Sequence, residues 1–169
     1  MGYSAENRVE RGYRDARINR IFEGTNEINR MLTVDMILKK AMKGQMDLMT
    51  PAMAVAQEIM GIPDFGMPPV DPFEAHLEYV EKFKKAVLLV AGAAVQKLMQ
   101  SLAKEQEVLM RIADMMIWTY TAESLVLRVQ KLAGQRGEDA VAHEMAMMKV
   151  YCYEVAERMH SAGKEALLA

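Results

Sequence analysis

The chain has 169 residues, 51% of them hydrophobic and 26% charged, with 21 Lys and Arg against 23 Asp and Glu. That mixture belongs to a folded globular chain and excludes an intrinsically disordered one. A net charge of -2 without any basic block gives no electrostatic reason to bind nucleic acid or an anionic membrane surface, and a single cysteine, Cys152, excludes an intramolecular disulfide framework.

The polar, charged opening is not expected to be a signal peptide. The longest nearly apolar run, Ala86 to Val95, is too short to span a bilayer. A soluble protein of a reducing, cytoplasmic compartment is therefore expected. Methionine is the compositional outlier at 17 residues. Met side chains can form adaptable binding grooves, but most of these fall at helical core spacing, which favours packing.

No segment alternates with period two; apolar residues recur every three or four positions, so the expected fold is all-α. A short polar helix is expected from about Ser4 to Tyr13, followed by an irregular stretch through Arg17 to Gly24. Thr25 then caps a second helix that runs to about Lys43 and ends at Gly44. Thr50 as cap and Pro51 in the first turn signal a third helix that stops at Gly61.

Residues 61–71 read as a linker, since they hold three of the five prolines in the chain and two glycines. Asp71-Pro72-Phe73-Glu74 opens a long helix, with Asp71 as cap and Glu74 placed for a capping box. Its stripe is Phe73, Leu77, Val80, Val87, Val90, Ala91, Ala94, Leu98 and Leu102. A second long helix is expected from about Lys104 to Leu132, carrying Leu109, Ile112, Met115, Met116, Thr119, Ala122, Val126 and Val129. After Gly134–Gly137, a third carries Val141, Met145, Met148, Cys152, Val155, Met159 and Ala162. Three long helices with short connections favour an up-and-down bundle. A fourth partner for their broad faces can come from residues 25–60 or from another chain.

Chemistry concentrates in one place. In Phe22-Glu23-Gly24-Thr25 a carboxylate precedes a glycine, and a helix begins directly afterwards. The first N–H groups of that helix lack intrahelical partners and can face a ligand, while glycine allows close backbone approach. On residue types alone, this is equally a well-capped turn with Glu23 solvated.

The longer run Arg14-Asp15-Ala16-Arg17-Ile18-Asn19-Arg20-Ile21-Phe22-Glu23-Gly24-Thr25-Asn26-Glu27-Ile28 resembles the catalytic-glutamate segment of acyl-CoA dehydrogenases. Met1-Gly2-Tyr3 looks like the tail of that family's glycine-rich flavin-contacting turn. Ile112-Ala113-Asp114-Met115 and Tyr120-Thr121-Ala122-Glu123-Ser124 look like the appended helical domain of its very-long-chain branch. The resemblance implies an FAD-dependent α,β-dehydrogenation of a fatty acyl-CoA to the trans-2-enoyl-CoA, within fatty acid β-oxidation. It makes Glu23 the base that removes the α-proton, places Phe22 and Gly24 against the substrate, and places Thr25, Asn26 and Glu27 against FAD. An electron-transfer flavoprotein would take the electrons.

In that family the segment falls late in the polypeptide, after the domains that hold most of the flavin and acyl chain. The resemblance thus divides the chain into residues 1–60, the end of a catalytic helical domain, the linker 61–71, and an appended bundle at 72–169. It also implies that the isolated chain is inactive and binds no FAD. The alternative is a non-catalytic helical module for oligomerisation or peripheral membrane docking. In either case self-association, as a dimer, is expected.

Other constellations carry less. Arg14, Arg17, Arg20 and Arg30 could meet CoA or flavin phosphates, but ion pairing with Glu10, Asp15 and Glu27 explains them more simply. Glu157 and His160 share a helix face, yet a di-metal site needs a second such pair and further glutamates, so no metal is expected. Cys152 on an apolar stripe should be inert, and Trp118 reads as a packing anchor.

Overall fold

The structure is a computed structural model and describes residues 4–6, 8–61, 66 and 69–169. The Met1-Gly2-Tyr3 turn and most of the expected linker, Ile62–Phe65 with Met67 and Pro68, lie outside the described residues. Among the described residues there are six α-helices and no strand: α1 (Val9–Ile18), α2 (Asn26–Met42), α3 (Met49–Met60), α4 (Pro72–Leu98), α5 (Gln106–Arg136) and α6 (Ala142–Leu168). The all-α expectation holds.

Helix starts follow local chemistry, with two shifts from the sequence reading. Asp71 caps α4 through its carboxylate, which accepts from the Phe73 N–H at 2.8 Å, with Pro72 in the first turn. α3 begins at Met49, two residues earlier than expected, because Asp47, not Thr50, is the capping side chain. Its Oδ1 accepts from the Thr50 N–H at 3.1 Å, and the Thr50 hydroxyl and N–H together hold the Asp47 carboxyl below the usual carboxylate range. α1 starts later than the sequence suggested and runs on to Ile18. Pairs one turn apart, Glu10 with Arg14 at 2.8 Å and Arg11 with Asp15 at 3.7 Å, lie along it and support a helix through Gly12.

The long helices are interrupted differently from the periodicity. α4 ends at Leu98, and a 3-10 turn, Met99–Lys104, carries Leu102 into the core. α5 passes straight through Gly134 to Arg136; the Gly137 N–H still donates to the Ala133 carbonyl at 2.8 Å, and the Gly137 φ of 85° then turns the chain out of the helix. A second 3-10 turn, Asp139–Val141, leads into α6. Connections this short oblige α4, α5 and α6 to run antiparallel to their sequence neighbours, and all three pack on one another.

Their stripes form one core. Val80, Met115, Val126, Met148 and Val155 are fully buried, surrounded by Phe73, Val90, Ile112, Ala122, Cys152 and Met159. Only some of the methionines pack as the spacing predicts: Met115, Met148 and Met159 are buried, whereas Met36, Met42, Met46, Met49, Met53, Met60, Met99 and Met147 are exposed, most of them on α2, α3 and the connections, away from the seam of the long helices. α2 lies on α5 and α3 lies on α4. Val34 of α2 belongs to the same buried cluster as the bundle, so the leading segment folds back on the chain itself. Gly92 makes the α3 contact possible, since a Cβ there would stand 3.1 Å from that of Ala52.

Ion pairs cross four of the helix contacts. Lys85 reaches Glu58 (2.6 Å, α4 to α3), Lys84 reaches Glu123 (2.7 Å, α4 to α5), Arg111 reaches Glu165 (2.6 Å, α5 to α6), and Arg30 reaches Asp114 (2.5 Å, α2 to α5). Glu123, and with it Glu81, raises the Lys84 ammonium above its ordinary range. Exposed pairs such as Lys85–Glu58 and Arg111–Glu165 contribute little individually; the buried stripes carry most of the stability.

Truncating the centre of that core is therefore costly. Met148→Ala should destabilise the chain by about 2–5 kcal/mol, read as a lower urea midpoint with an unchanged slope. A loss below about 0.5 kcal/mol, the range of ordinary surface substitutions, would show that Met148 is not packed as described.

Candidate functional site

Phe22–Thr25 close the turn between α1 and α2, and Asn26 and Glu27 are the first two residues of α2. The six are contiguous in sequence. Phe22, Glu23 and Glu27 are exposed, while Gly24, Thr25 and Asn26 are half-buried. Exposure of Glu23 agrees with the expectation for the chain on its own.

Backbone geometry is the distinctive feature. Glu23 has φ of 56° and Gly24 φ of 85°, two successive residues in the left-handed region. For a non-glycine residue this is uncommon and costs about 1–3 kcal/mol; such conformations persist where surrounding contacts hold them. The contacts here are visible. The Asn29 side-chain amide donates to the Gly24 carbonyl at 2.8 Å. The Asn29 Oδ1 also stands 2.6 Å from where a Cβ on Gly24 would be. The close approach that glycine permits is thus made by Asn29.

The start of α2 is partly self-capped. Thr25 Oγ1 accepts from the Ile28 N–H at 3.3 Å. Glu27 is held below the usual carboxylate range by its own backbone N–H, then by the Thr25 hydroxyl, with Arg30 and Arg20 adding to it. The N–H groups expected to lie open to a ligand are in part taken up by Thr25 and Glu27.

Arg30 departs from its expected pairing. Its partner is Asp114, 84 positions away in α5, rather than Glu27, and its Nη1 donates to the Asn26 carbonyl at 3.2 Å. Arg14 does pair with Glu10. Asn29 and Asp114 were not singled out as site residues from the sequence. Nothing local marks Asp114, because its relation to the turn exists only across the α2–α5 contact.

The constellations set aside earlier stay plain. Cys152 is buried, which pushes its thiol up, and Glu157 and His160 are both exposed. Among the described residues no three His, Cys, Asp or Glu side chains are grouped to hold a metal ion, and no helix is long and apolar enough to cross a membrane.

The helical fold is what the chain shares with known proteins. It belongs to the acyl-CoA dehydrogenase family: residues 82–169 match the family described as acyl-CoA dehydrogenase, C-terminal domain, and residues 1–38 match a second family of the same description. A probable acyl-CoA dehydrogenase of Bacillus subtilis (strain 168) is 38% identical over 172 residues, covering 99% of this chain and 28% of that protein. The mitochondrial short-chain specific acyl-CoA dehydrogenase of Bos taurus is 54% identical over 39 residues, 23% of this chain and 10% of its own length. The crystal structure of an acyl-CoA dehydrogenase complexed with FAD from Bacillus anthracis superimposes with a TM-score of 0.82 at 40% identity, over 99% of this chain and 28% of that one. The chain therefore spans little more than a quarter of the two Bacillus proteins.

The depressed Glu27 carboxyl has a consequence for pH. A group whose folded pKa is lowered stabilises the folded state above its unfolded pKa and loses that contribution as pH falls through the folded one. Protection factors in the first turns of α2, taken relative to the intrinsic exchange rate at each pH, should fall on acidification below the ordinary carboxylate range, and Glu27→Gln should remove that dependence. An unchanged acid profile in Glu27→Gln would assign the effect to another carboxylate.

Gly24→Ala should disrupt the same turn, since alanine meets both an unfavourable φ and the Asn29 side chain. We expect about 1 kcal/mol or more of destabilisation, seen as a lower melting temperature.

Proposed function

We propose that the chain supplies the catalytic-base turn and the appended helical bundle of an FAD-dependent acyl-CoA dehydrogenase of the very-long-chain branch. The observation that carries this reading is Glu23 itself: a carboxylate held at positive φ, before Gly24 and a capped helix, in a chain of this family. Residues 1–60 would close the catalytic helical domain, 61–71 would link, and 72–169 would form the appended bundle.

In this reading Glu23 accepts the α-proton of a fatty acyl-CoA thioester, and its backbone N–H donates to the thioester carbonyl. That proton is weakly acidic, so a donor where negative charge develops lowers the barrier by roughly 3–4 kcal/mol. Phe22 and Gly24 line the acyl-CoA. The half-buried Thr25 and Asn26 and the exposed Glu27 offer a hydroxyl, a carboxamide and an accepting carboxylate at a helix start, a mixed set of hydrogen-bond donors and acceptors that fits one polar edge of FAD. When bound, FAD supplies the acceptor for the β-hydrogen, and an electron-transfer flavoprotein would receive the electrons. The remaining walls of the site must come from chain outside these residues. The isolated chain is accordingly read as inactive and free of stoichiometric FAD, in a bacterial cytoplasm.

A chimera tests this. Replacing the matching segment of the Bacillus subtilis relative with this chain should give a yellow enzyme that dehydrogenates fatty acyl-CoA, while the isolated chain stays colourless. In the chimera Glu23→Gln should lower kcat by about 10²-fold or more. Retention of more than about a tenth of the activity would show that another residue is the base.

A second reading, oligomerisation or peripheral membrane docking without catalysis, draws on the outer face of α2. Ile28, Leu32 and Met36 follow one another at helical spacing and are 52%, 49% and 49% exposed, with Ile18, Ile21 and Phe22 exposed nearby in sequence. Met31 and Ile37, on the side toward α5, are half-buried. An apolar stripe of this kind favours association, and a two-fold pairing buries it on both copies at once. Light scattering coupled to size exclusion should return a dimer at micromolar concentration. A monodisperse monomer would sink the self-association.

A further inference from the structure

α2 begins directly after the strained Glu23–Gly24 turn, and little apolar burial holds its first turns. Asn26 is half-buried, Glu27, Ile28 and Asn29 are exposed, and the first buried side chain is Val34, two turns in. Yet Glu23 and Gly24 keep a backbone conformation that something must maintain. Asn29 supplies part of the hold through the Gly24 carbonyl. That fixes the turn to α2, not α2 to the molecule.

The second part is Arg30. Its Nε donates to the Asp114 carboxylate at 2.5 Å, and its Nη1 donates to the Asn26 carbonyl at 3.2 Å. One guanidinium thereby joins the opening residue of α2 to the third turn of α5. The pair is partly shielded from water, with the Arg30 and Asp114 side chains 30% and 15% exposed, so it is less screened than the surface pairs on α1 and α6. Asp114 stands between Ala113 and Met115, which are 0% and 1% exposed, on a helix packed against α2, α4 and α6. Its position is set by the core.

The geometry points to Asp114 as a positioning residue for the Glu23 turn, acting through Arg30 and the first turn of α2. Core packing of α5 fixes Asp114. Asp114 fixes Arg30 and the Asn26 carbonyl, and Asn29, on the same turn of helix, fixes Gly24 and so the direction of Glu23. The appended bundle then sets where the proposed base stands, although it contributes no group to the reacting atoms. Its importance for turnover rests on the dehydrogenase reading above; the mechanical coupling does not.

Hydrogen exchange followed by mass spectrometry on the 169-residue chain tests the coupling. Asp114→Asn keeps shape and removes the charge. It should speed exchange at residues 28–34 by about tenfold, the size expected of a charge-assisted contact, while α6 and the core of α4 and α5 keep their protection. Asp114→Glu, which retains the carboxylate, should restore most of it. Exchange at residues 28–34 within about twofold of the unsubstituted chain in Asp114→Asn would overturn the proposal. So would equal acceleration throughout α4–α6, which marks a merely structural role, or failure of Asp114→Glu to restore protection.

In the chimera with the Bacillus subtilis relative, Asp114→Asn should lower kcat more than it changes KM, and Asp114→Glu should recover it. If Glu23→Gln leaves that chimera active, the dehydrogenase reading fails while the exchange result stands. If Glu23→Gln abolishes turnover but Asp114→Asn alters neither exchange nor kcat, the positioning role fails alone.

Discussion

Three long helices, α4, α5 and α6, each present an apolar stripe that water cannot satisfy, and burying all three together is the constraint from which the rest follows. Side chains at the seam, such as Val80, Met115, Val126, Met148 and Val155, lose essentially all their exposure. Each large apolar side chain so buried contributes on the order of 1.5–3 kcal/mol. Short connections leave the helices no arrangement except antiparallel packing. Once α5 is fixed in this way, its outward side becomes a platform, and α2 is laid on that platform by Val34, Leu38 and the Arg30–Asp114 pair.

The acidic turn is built with different physics. It contributes no side chain to the core and holds two successive residues at positive φ. What keeps it is polar: the Thr25 cap, the Asn29 amide on the Gly24 carbonyl and the Glu27 carboxyl at the helix start, with Arg30 and Asp114 tying that start to α5. A rigid apolar scaffold bearing a polar, conformationally unusual turn is an arrangement that suits a residue whose direction matters. Phe22 and the outer face of α2, with Ile28, Leu32 and Met36, are exposed on the other side of the same arrangement.

Much was legible in the chain itself because it depends on near neighbours. The 3.6-residue period gave the helices, Asp71-Pro72 gave the start of α4, and Thr25 gave the start of α2. The stripe residues expected on α5, from Leu109 to Val129, are buried there, apart from the half-buried Met116. The acidic segment could be recognised because its residues are consecutive. Boundaries were less legible where two local signals compete. Gly134 reads like a stop, yet it has open space around it and α5 continues to Gly137, whose φ is positive. Thr50 reads like a cap, yet the Asp47 carboxylate is the stronger acceptor and lies within reach.

The sequence by itself determined the fold class, the helix faces and the position of Glu23, since helix periodicity, capping and a contiguous motif are all encoded within a few residues. Only the tertiary structure decided that Arg30 pairs with Asp114, that Asn29 fills the space Gly24 leaves, and that α2 folds back on α5 with Ile28, Leu32 and Met36 turned outward. The physical reason is distance along the chain. An ion pair spanning 84 positions has no periodicity, and the choice of which face of α2 is buried depends on the shape of a surface that exists only after α4, α5 and α6 have packed.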